Sequence, residues 1–207
     1  MIVHQHLLGP MANFIYFLLD PQTSKIAVVD PAWDVPFICH QIKENGWELD
    51  KILLTHGHND HTNGLDELLS SYGVPVYLSS YELPMYTPTV SLERFNDADS
   101  ISIGSESVTV IHTPGHTPGS VCFKTEHHLI AGDMLFIDGC GRVDLPGGNP
   151  EDMYASLRKL HALEDSLTVW PGHDYGDKPS ALLGELKKSN PYLSAVDKSD
   201  FMSRRGV

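Results

Sequence analysis

Positive charge is scarce in this sequence. Lysine and arginine total 14 against 27 aspartates and glutamates, a net charge of −13. A surface that grips phosphate backbones presents clustered cations, so nucleic acid is not an expected partner. The two basic pairs, Lys187-Lys188 and Arg204-Arg205, read as solvated helix and tail charges. Cysteine is scarce too. Cys39, Cys122 and Cys140 form an odd set with no paired spacing, so no disulfide framework is implied. Long apolar runs are missing: Phe14–Leu19 falls far short of the ~20 residues that cross a bilayer. The first residues, Met1-Ile2-Val3-His4-Gln5-His6, have neither the positive charge nor the apolar stretch of a secretion signal. No repeat, linker or low-complexity segment interrupts the chain. The expectation is a cytoplasmic, single-domain protein spanning 1–207, with no membrane partner and a 41% hydrophobic content sufficient for a full core.

What the sequence does have is a dense run of ligand-type side chains, Thr55-His56-Gly57-His58-Asn59-Asp60-His61. Imidazole nitrogen and carboxylate oxygen are donors that zinc, iron and manganese share. The run contains Gly57 and Asn59 and follows the apolar stretch 51–55, which predicts a loop at a strand end. Such a loop can splay His56 and His58 toward one metal, and Asp60 and His61 toward a neighbouring one.

Three further segments share one design. Val108–Ile111 leads to Thr113-Pro114-Gly115-His116, Leu129–Ala131 to Gly132-Asp133, and Leu167–Trp170 to Pro171-Gly172-His173. In each, an apolar strand ends, a glycine permits close backbone approach, and a metal-binding residue follows. Together the seven donors divide between two metals. His56, His58 and His116 hold the first; Asp60, His61 and His173 hold the second; Asp133 bridges them, with water or hydroxide as the other bridge. His4, His6, His40, His127, His128 and His161 lack this context and read as surface or core, and His112 as packing. Asp30, closing Val28-Val29-Asp30, is a candidate to orient a ligand imidazole from behind, or else a plain turn carboxylate.

Strands are also predicted at Phe14–Leu19, Ile26–Asp30, Val74–Ser79, Ile101–Ile103 and Val121–Thr125. Helices are predicted from the Asp34 cap to about Asn45, over Leu65–Tyr72, from the Asn149 cap with Pro150 in its first turn, and over Ser180–Ser189 as the last. Strands and helices alternating twice suggest sheets packed inside helices.

The combination T-H-x-H-x-D-H at 55–61, T-P-G-H-T-P-G-S at 113–120, G-D at 132–133 and G-H-D-Y at 172–175 resembles the metallo-β-lactamase superfamily. Within it, the chain is similar to the glyoxalase II (hydroxyacylglutathione hydrolase) branch, close to the persulfide dioxygenases. The resemblance implies an α/β fold, an αββα sandwich of two mixed sheets flanked by helices, with the metals at one edge. It further implies that Arg142 contacts the glycine carboxylate of glutathione and that Tyr175 helps bind the thiol moiety. A short C-terminal helix is expected, without a separate glutathione-binding helical domain. Asp144 departs from the glyoxalase II pattern, which carries tyrosine there, toward the dioxygenase-like Arg-x-Asp form. The expected activity is hydrolysis of a small thioester or thiol conjugate by two divalent metals, zinc first and iron or manganese otherwise, with Asp60 and Asp133 at the reacting centre. The alternatives are a persulfide dioxygenase with one Fe2+ on His56, His116 and Asp133, and a lactonase.

Overall fold

The structure, a computed structural model, describes residues 1–206. Its first half is a sheet of β1 (Ile2–Leu8), β2 (Asn13–Leu19), β3 (Lys25–Val29), β4 (Glu48–Leu53), β5 (Val76–Ser79) and β6 (Leu92–Phe95), in that order. The first three strands pair antiparallel and the rest parallel. Helices α1 (Val35–Glu44), α2 (Asn59–Thr62) and α3 (Leu65–Ser71) lie in this half.

The second sheet runs β7 (Ser100–Ile103), β8 (Glu106–His112), β9 (Val121–Lys124), β10 (His128–Gly132), β11 (Thr168–Pro171) and β12 (Ala181–Leu182). Its pairings are antiparallel except β10 with β11. Helices α4 (Pro150–His161), α5 (Leu183–Ser189) and α6 (Lys198–Arg205) complete the chain. Two mixed sheets flanked by helices make the αββα sandwich that the motifs imply.

Alternation along β2 shows how the layers form. Phe14, Tyr16 and Leu18 point between the sheets, where Ala27, Val29 and Leu53 meet Val108, Val110, Phe123 and Ile130. Ile15 and Phe17 point the other way, onto Val35, Ile38 and Leu68 of α1 and α3. A strand covered on both faces reads as an unbroken apolar run, which is why Phe14–Leu19 was legible. On the far side, Met153, Leu157 and Leu160 of α4 and Phe201 of α6 cover the second sheet.

The predicted caps hold. Asp34 accepts from Phe37 N–H at 3.0 Å, and Asn149 accepts from Glu151 and Asp152 N–H. Three expectations are corrected. Residues 55–61 are not all loop, because Asn59–Thr62 closes one helical turn after His58. Ser180–Ser189 is not one helix: Ala181 and Leu182 pair with Val169 and Thr168 as a short edge strand, and only Leu183–Ser189 is helical. Nor is that helix the last, since α6 follows, capped by Asp197 and closed by left-handed Gly206. No helix among the described residues is long and apolar enough to cross a membrane.

Candidate metal centre

The seven donors predicted from the motifs are brought together. His56, His58 and His116 present ligand atoms within 4.8 Å of one another, and so do Asp60, His61 and His173. Asp133 lies between the sets. Its Oδ2 is 3.4 Å from both His116 Nε2 and His173 Nε2, and its Oδ1 is 3.4 Å from His61 Nε2.

Local folding explains the convergence. The donors leave the C-terminal ends of β4, β8, β10 and β11 at one edge of the sandwich. Gly132 turns the chain with φ +49°, a region that favours glycine. A Cβ on Gly172 would stand 2.3 Å from Asp133 Oδ1, so only glycine lets the His173 strand pass that carboxylate.

Outer hydrogen bonds fix which nitrogen of each imidazole faces the centre. His116 Nδ1 donates to Arg142 O at 2.8 Å, and His173 Nδ1 to Met11 O at 2.9 Å. His61 Nδ1 donates to Asp30 Oδ2 at 3.0 Å. Thr55 Oγ1 donates to Asp30 Oδ2 at 2.6 Å, so it can only accept from His56 Nδ1, 3.0 Å away. A neutral imidazole carries one proton. All four Nε2 atoms therefore turn lone pairs inward. His61 Nε2 and His173 Nε2 face each other at 3.2 Å, and His116 Nε2 and Asp133 Oδ1 are buried with no hydrogen-bond partner. Opposed lone pairs beside two carboxylates are repulsive unless a proton or a metal cation sits among them. The residues fit divalent metal ions.

Charge tells the same story. Burial acts to lower the His173 imidazole, but the carboxylates of Asp133 and Asp60, which accept from it when it is protonated, outweigh that and push its pKa up to about 10. Burial, then His116, lowers His58 to about 4. Burial acts to raise Asp133, yet His61 and its neighbours hold it down at about 2. The carboxylate-rich half calls for positive charge; the imidazole-rich half offers neutral donors. No thiolate competes, since burial pushes the nearby Cys140 thiol up to about 12.

Asp30 has the supporting role, with backbone φ +52°, and its carboxylate also accepts Thr55 N–H at 2.8 Å. A left-handed, non-glycine residue gripping a ligand imidazole is strain held at a site. The remaining histidines stay outside: His4 and His6 pack on Trp47, Phe17 and Phe37, and His112 stacks on Tyr81.

Arg142 and Tyr175 both line a cavity of about 310 Å³ that opens onto His58, Asp60, His116, Asp133 and His173. The Tyr175 ring stacks on His173 with centroids 4.6 Å apart. Arg142 is held in a two-pronged pair by Asp144, both contacts at 2.8 Å. Arg205 also lines this cavity, correcting its reading as a tail charge. It donates to Gly141 O at 3.2 Å, lies over the Tyr192 ring, and pairs with no carboxylate among the described residues.

Two supporting residues carry no sequence signal. Asn13 is fully buried, donates to Asp60 O and Oδ2 at 3.0 and 3.1 Å, and accepts from Trp33 Nε1. Glu82 is buried and ties two ligand loops together: its Oε2 accepts Gly57 N–H at 3.0 Å and the Thr117 hydroxyl at 2.8 Å. Glu82→Ala strands Gly57 N–H, at a cost of about 1–3 kcal/mol, and leaves the Thr117 hydroxyl only Ser120 Oγ, 2.9 Å away. It is expected to weaken metal at His56, His58 and His116 by ~10–100-fold, the range for outer-shell partners. Chelator competition and denaturant unfolding measure the two effects. Glu82→Gln, which keeps an acceptor, is expected to recover part of both. Metal affinity unchanged in the alanine variant would show that the loops need no such tie.

The comparisons with known proteins agree with the fold. The probable polyketide biosynthesis zinc-dependent hydrolase BaeB of Bacillus velezensis is 33% identical over 196 residues, covering 94% of this chain and 87% of the relative. The hydroxyacylglutathione hydrolase of Alkalilimnicola ehrlichii is 38% identical over 182 residues, 88% of this chain and 69% of that protein. Among solved structures, ETHE1 from Myxococcus xanthus superposes with a TM-score of 0.91 at 26% identity, covering 100% of this chain and 90% of that one. TTHA1623, crystallised in a di-iron-bound form, gives 0.82 at 29% identity, covering 92% of this chain and 100% of that one. The family described as the metallo-beta-lactamase superfamily matches residues 8–173. Over residues 8–173, therefore, this chain belongs to the metallo-beta-lactamase superfamily.

Proposed function

We propose that this protein hydrolyses thioesters whose thiol half is acidic, using two divalent metal ions held by His56, His58 and His116, by Asp60, His61 and His173, and by Asp133 between them. Zinc is the metal of choice for an all-nitrogen-and-oxygen set, with iron or manganese as substitutes. When bound, the metals polarise the acyl carbonyl and lower the pKa of a coordinated water from about 16 toward ~7, which supplies the nucleophile without serine or cysteine.

The chain's own groups do the rest. Asp60, held by Asn13 through both its backbone and side-chain oxygens, is placed to orient the attacking oxygen. Tyr175 and Phe136 wall the cavity beside His173 and restrict water around the reacting bond. Arg142 and Arg205 supply positive charge at the cavity's other side, where an acidic thiol moiety would sit. A cytoplasmic setting is part of the proposal, on the three free cysteines.

One observation carries this reading. The second donor set is as firmly pre-arranged as the first, by Asp30, the Met11 carbonyl and Asn13. A single ion on His56, His116 and Asp133 would leave this second set, with its own carboxylate Asp60, holding no more than a proton on His173. The competing reading, persulfide oxygenation by one iron on those three residues, draws on the intact Arg142–Asp144 pair.

The test is metal content per chain in protein purified without added metal, with thioester hydrolysis and O₂ uptake on glutathione persulfide measured on the same sample. Two metals and hydrolysis are expected; one iron with O₂ uptake overturns the proposal. Arg142→Ala is expected to raise KM about tenfold for an S-acylglutathione, with kcat and a neutral thioester little affected, because a remote ionic contact is mostly uniform binding. Equal loss on both substrates would point instead to disturbance of the Arg142 carbonyl that orients His116.

A further inference from the structure

The donor set borders two cavities. The first, described above, carries Arg142 and Arg205. The second, about 540 Å³, is walled by Met85, Tyr86, Thr87 and Pro88 together with Asn59 and Thr62. His58, Asp60 and Leu145 line both, so the two meet at the donors.

Their chemistry differs. The second cavity contains no lysine or arginine, and the only side chains in its lining that titrate in the acid to neutral range are those of His58 and Asp60. Met85 is 66% exposed, an unbranched apolar side chain of the kind that moulds to varied chains. The wall is fixed rather than loose. The Tyr86 ring stands edge-on to His58 at 4.6 Å, its hydroxyl donates to Pro146 O at 3.0 Å, and its carbonyl lies where a Cβ on Gly57 would fall, 1.9 Å away. The loop bearing Tyr86 is thereby locked against both the His56–His58 turn and the segment bearing Leu145.

A thioester has two substituents that diverge from the reacting carbonyl. With that carbonyl at the donors and the acidic thiol half beside the arginines, the acyl half must leave by another route. We propose that the Met85–Pro88 cavity is the acyl subsite and that it takes an uncharged chain of several carbons. This rests on the thioester reading above. In the reaction a C–O bond forms from water and the C–S bond breaks. Water gives up both protons, one to the departing sulfur and one to solvent as the acid product ionises, and the product's chain stays in the second cavity. A persulfide ends at its terminal sulfur and has no group to place there.

The experiment uses thioether ketones of glutathione, R–CO–CH₂–S–glutathione, which cannot be hydrolysed, with R running from methyl to octyl. Binding to the metal-loaded protein is measured by calorimetry, and kcat/KM is measured for the matching thioesters. Full burial of a methylene is worth about fourfold in affinity, so a half-open cavity should give about twofold per carbon. Met85→Asp is expected to abolish that slope; Met85→Leu should preserve it. A flat wild-type series, or a slope that survives Met85→Asp, overturns the subsite. Hydrolysis without a slope sinks the subsite alone. A slope in ketone binding with no hydrolysis of any thioester sinks the reaction and leaves the subsite standing. No binding by any ketone sinks both.

Discussion

Asp133→Ala is expected to empty both metal positions and to remove hydrolysis. Asp30 supports His61 through Nδ1, but among the described residues Asp133 alone comes within 3.4 Å of ring nitrogens in both donor sets, Oδ2 to His116 Nε2 and His173 Nε2 and Oδ1 to His61 Nε2. Its charge is also what the buried imidazoles lean on, since Asp133 is among the groups that raise His61 and His173. Without it, the two ions would be held closely beside each other by neutral nitrogens and Asp60 alone, and their mutual repulsion would go unanswered. Activity should fall by ~10³-fold or more, the scale seen when charge stabilisation at a reacting centre is lost. Asp133→Asn keeps the shape and loses the charge, and should behave similarly. Metals per chain after dialysis, together with the shift in Tm on adding metal, read the result, because an ion that binds only the folded state raises Tm. Two tightly held metals in the alanine variant would overturn the bridging position.

The contrast between what could and could not be read from the sequence has a physical basis. Metal donors must sit close together with their backbones tightly turned. The result is local signatures: His-x-His-x-Asp-His on one turn, and glycine before His116 by one residue, before Asp133 and before His173. Strands buried on both faces, such as β2 and β3, announce themselves as apolar runs. β1 escaped notice because it is an edge strand, with His4, Gln5 and His6 half-buried along its length. α6 did so because Phe201 is its only buried residue. The supports are hardest of all. Asn13 reaches Asp60 across 47 positions, Glu82 reaches Thr117 across 35, and Arg205 reaches Gly141 across 64. A lone asparagine, glutamate or arginine carries no spacing signal, and each contact exists only once the elements that carry it have packed together. Asp30 was half legible, as the end of an apolar strand; that it grips His61 required the fold.

His61→Ala should separate hydrolysis from oxygenation. With two metals, His61 is one of three donors to the second ion, alongside Asp60 and His173. Two donors and a bridge hold a divalent ion poorly, so the variant should retain one metal per chain and lose hydrolysis by ~10²–10⁴-fold, as when a positioned charge at the reacting centre is removed. The fold should survive. Asp30 loses its contact to His61 Nδ1 but keeps Thr55 N–H and the Thr55 hydroxyl, so the buried carboxylate is not left bare. The cost of the missing partner is then about 1–3 kcal/mol, read by denaturant unfolding. With a single iron on His56, His116 and Asp133, the outcome differs. His61 would stand outside the coordination shell, the iron would stay bound, and the rate would fall only within the ~10–100-fold range of an outer partner. Metal content, thioester hydrolysis and O₂ uptake with glutathione persulfide, on wild type and variant, distinguish the two. One iron in the wild type, with O₂ uptake that persists after His61 is removed, would overturn the dinuclear hydrolase; a lost metal with lost hydrolysis and no O₂ uptake in either protein is the expected result.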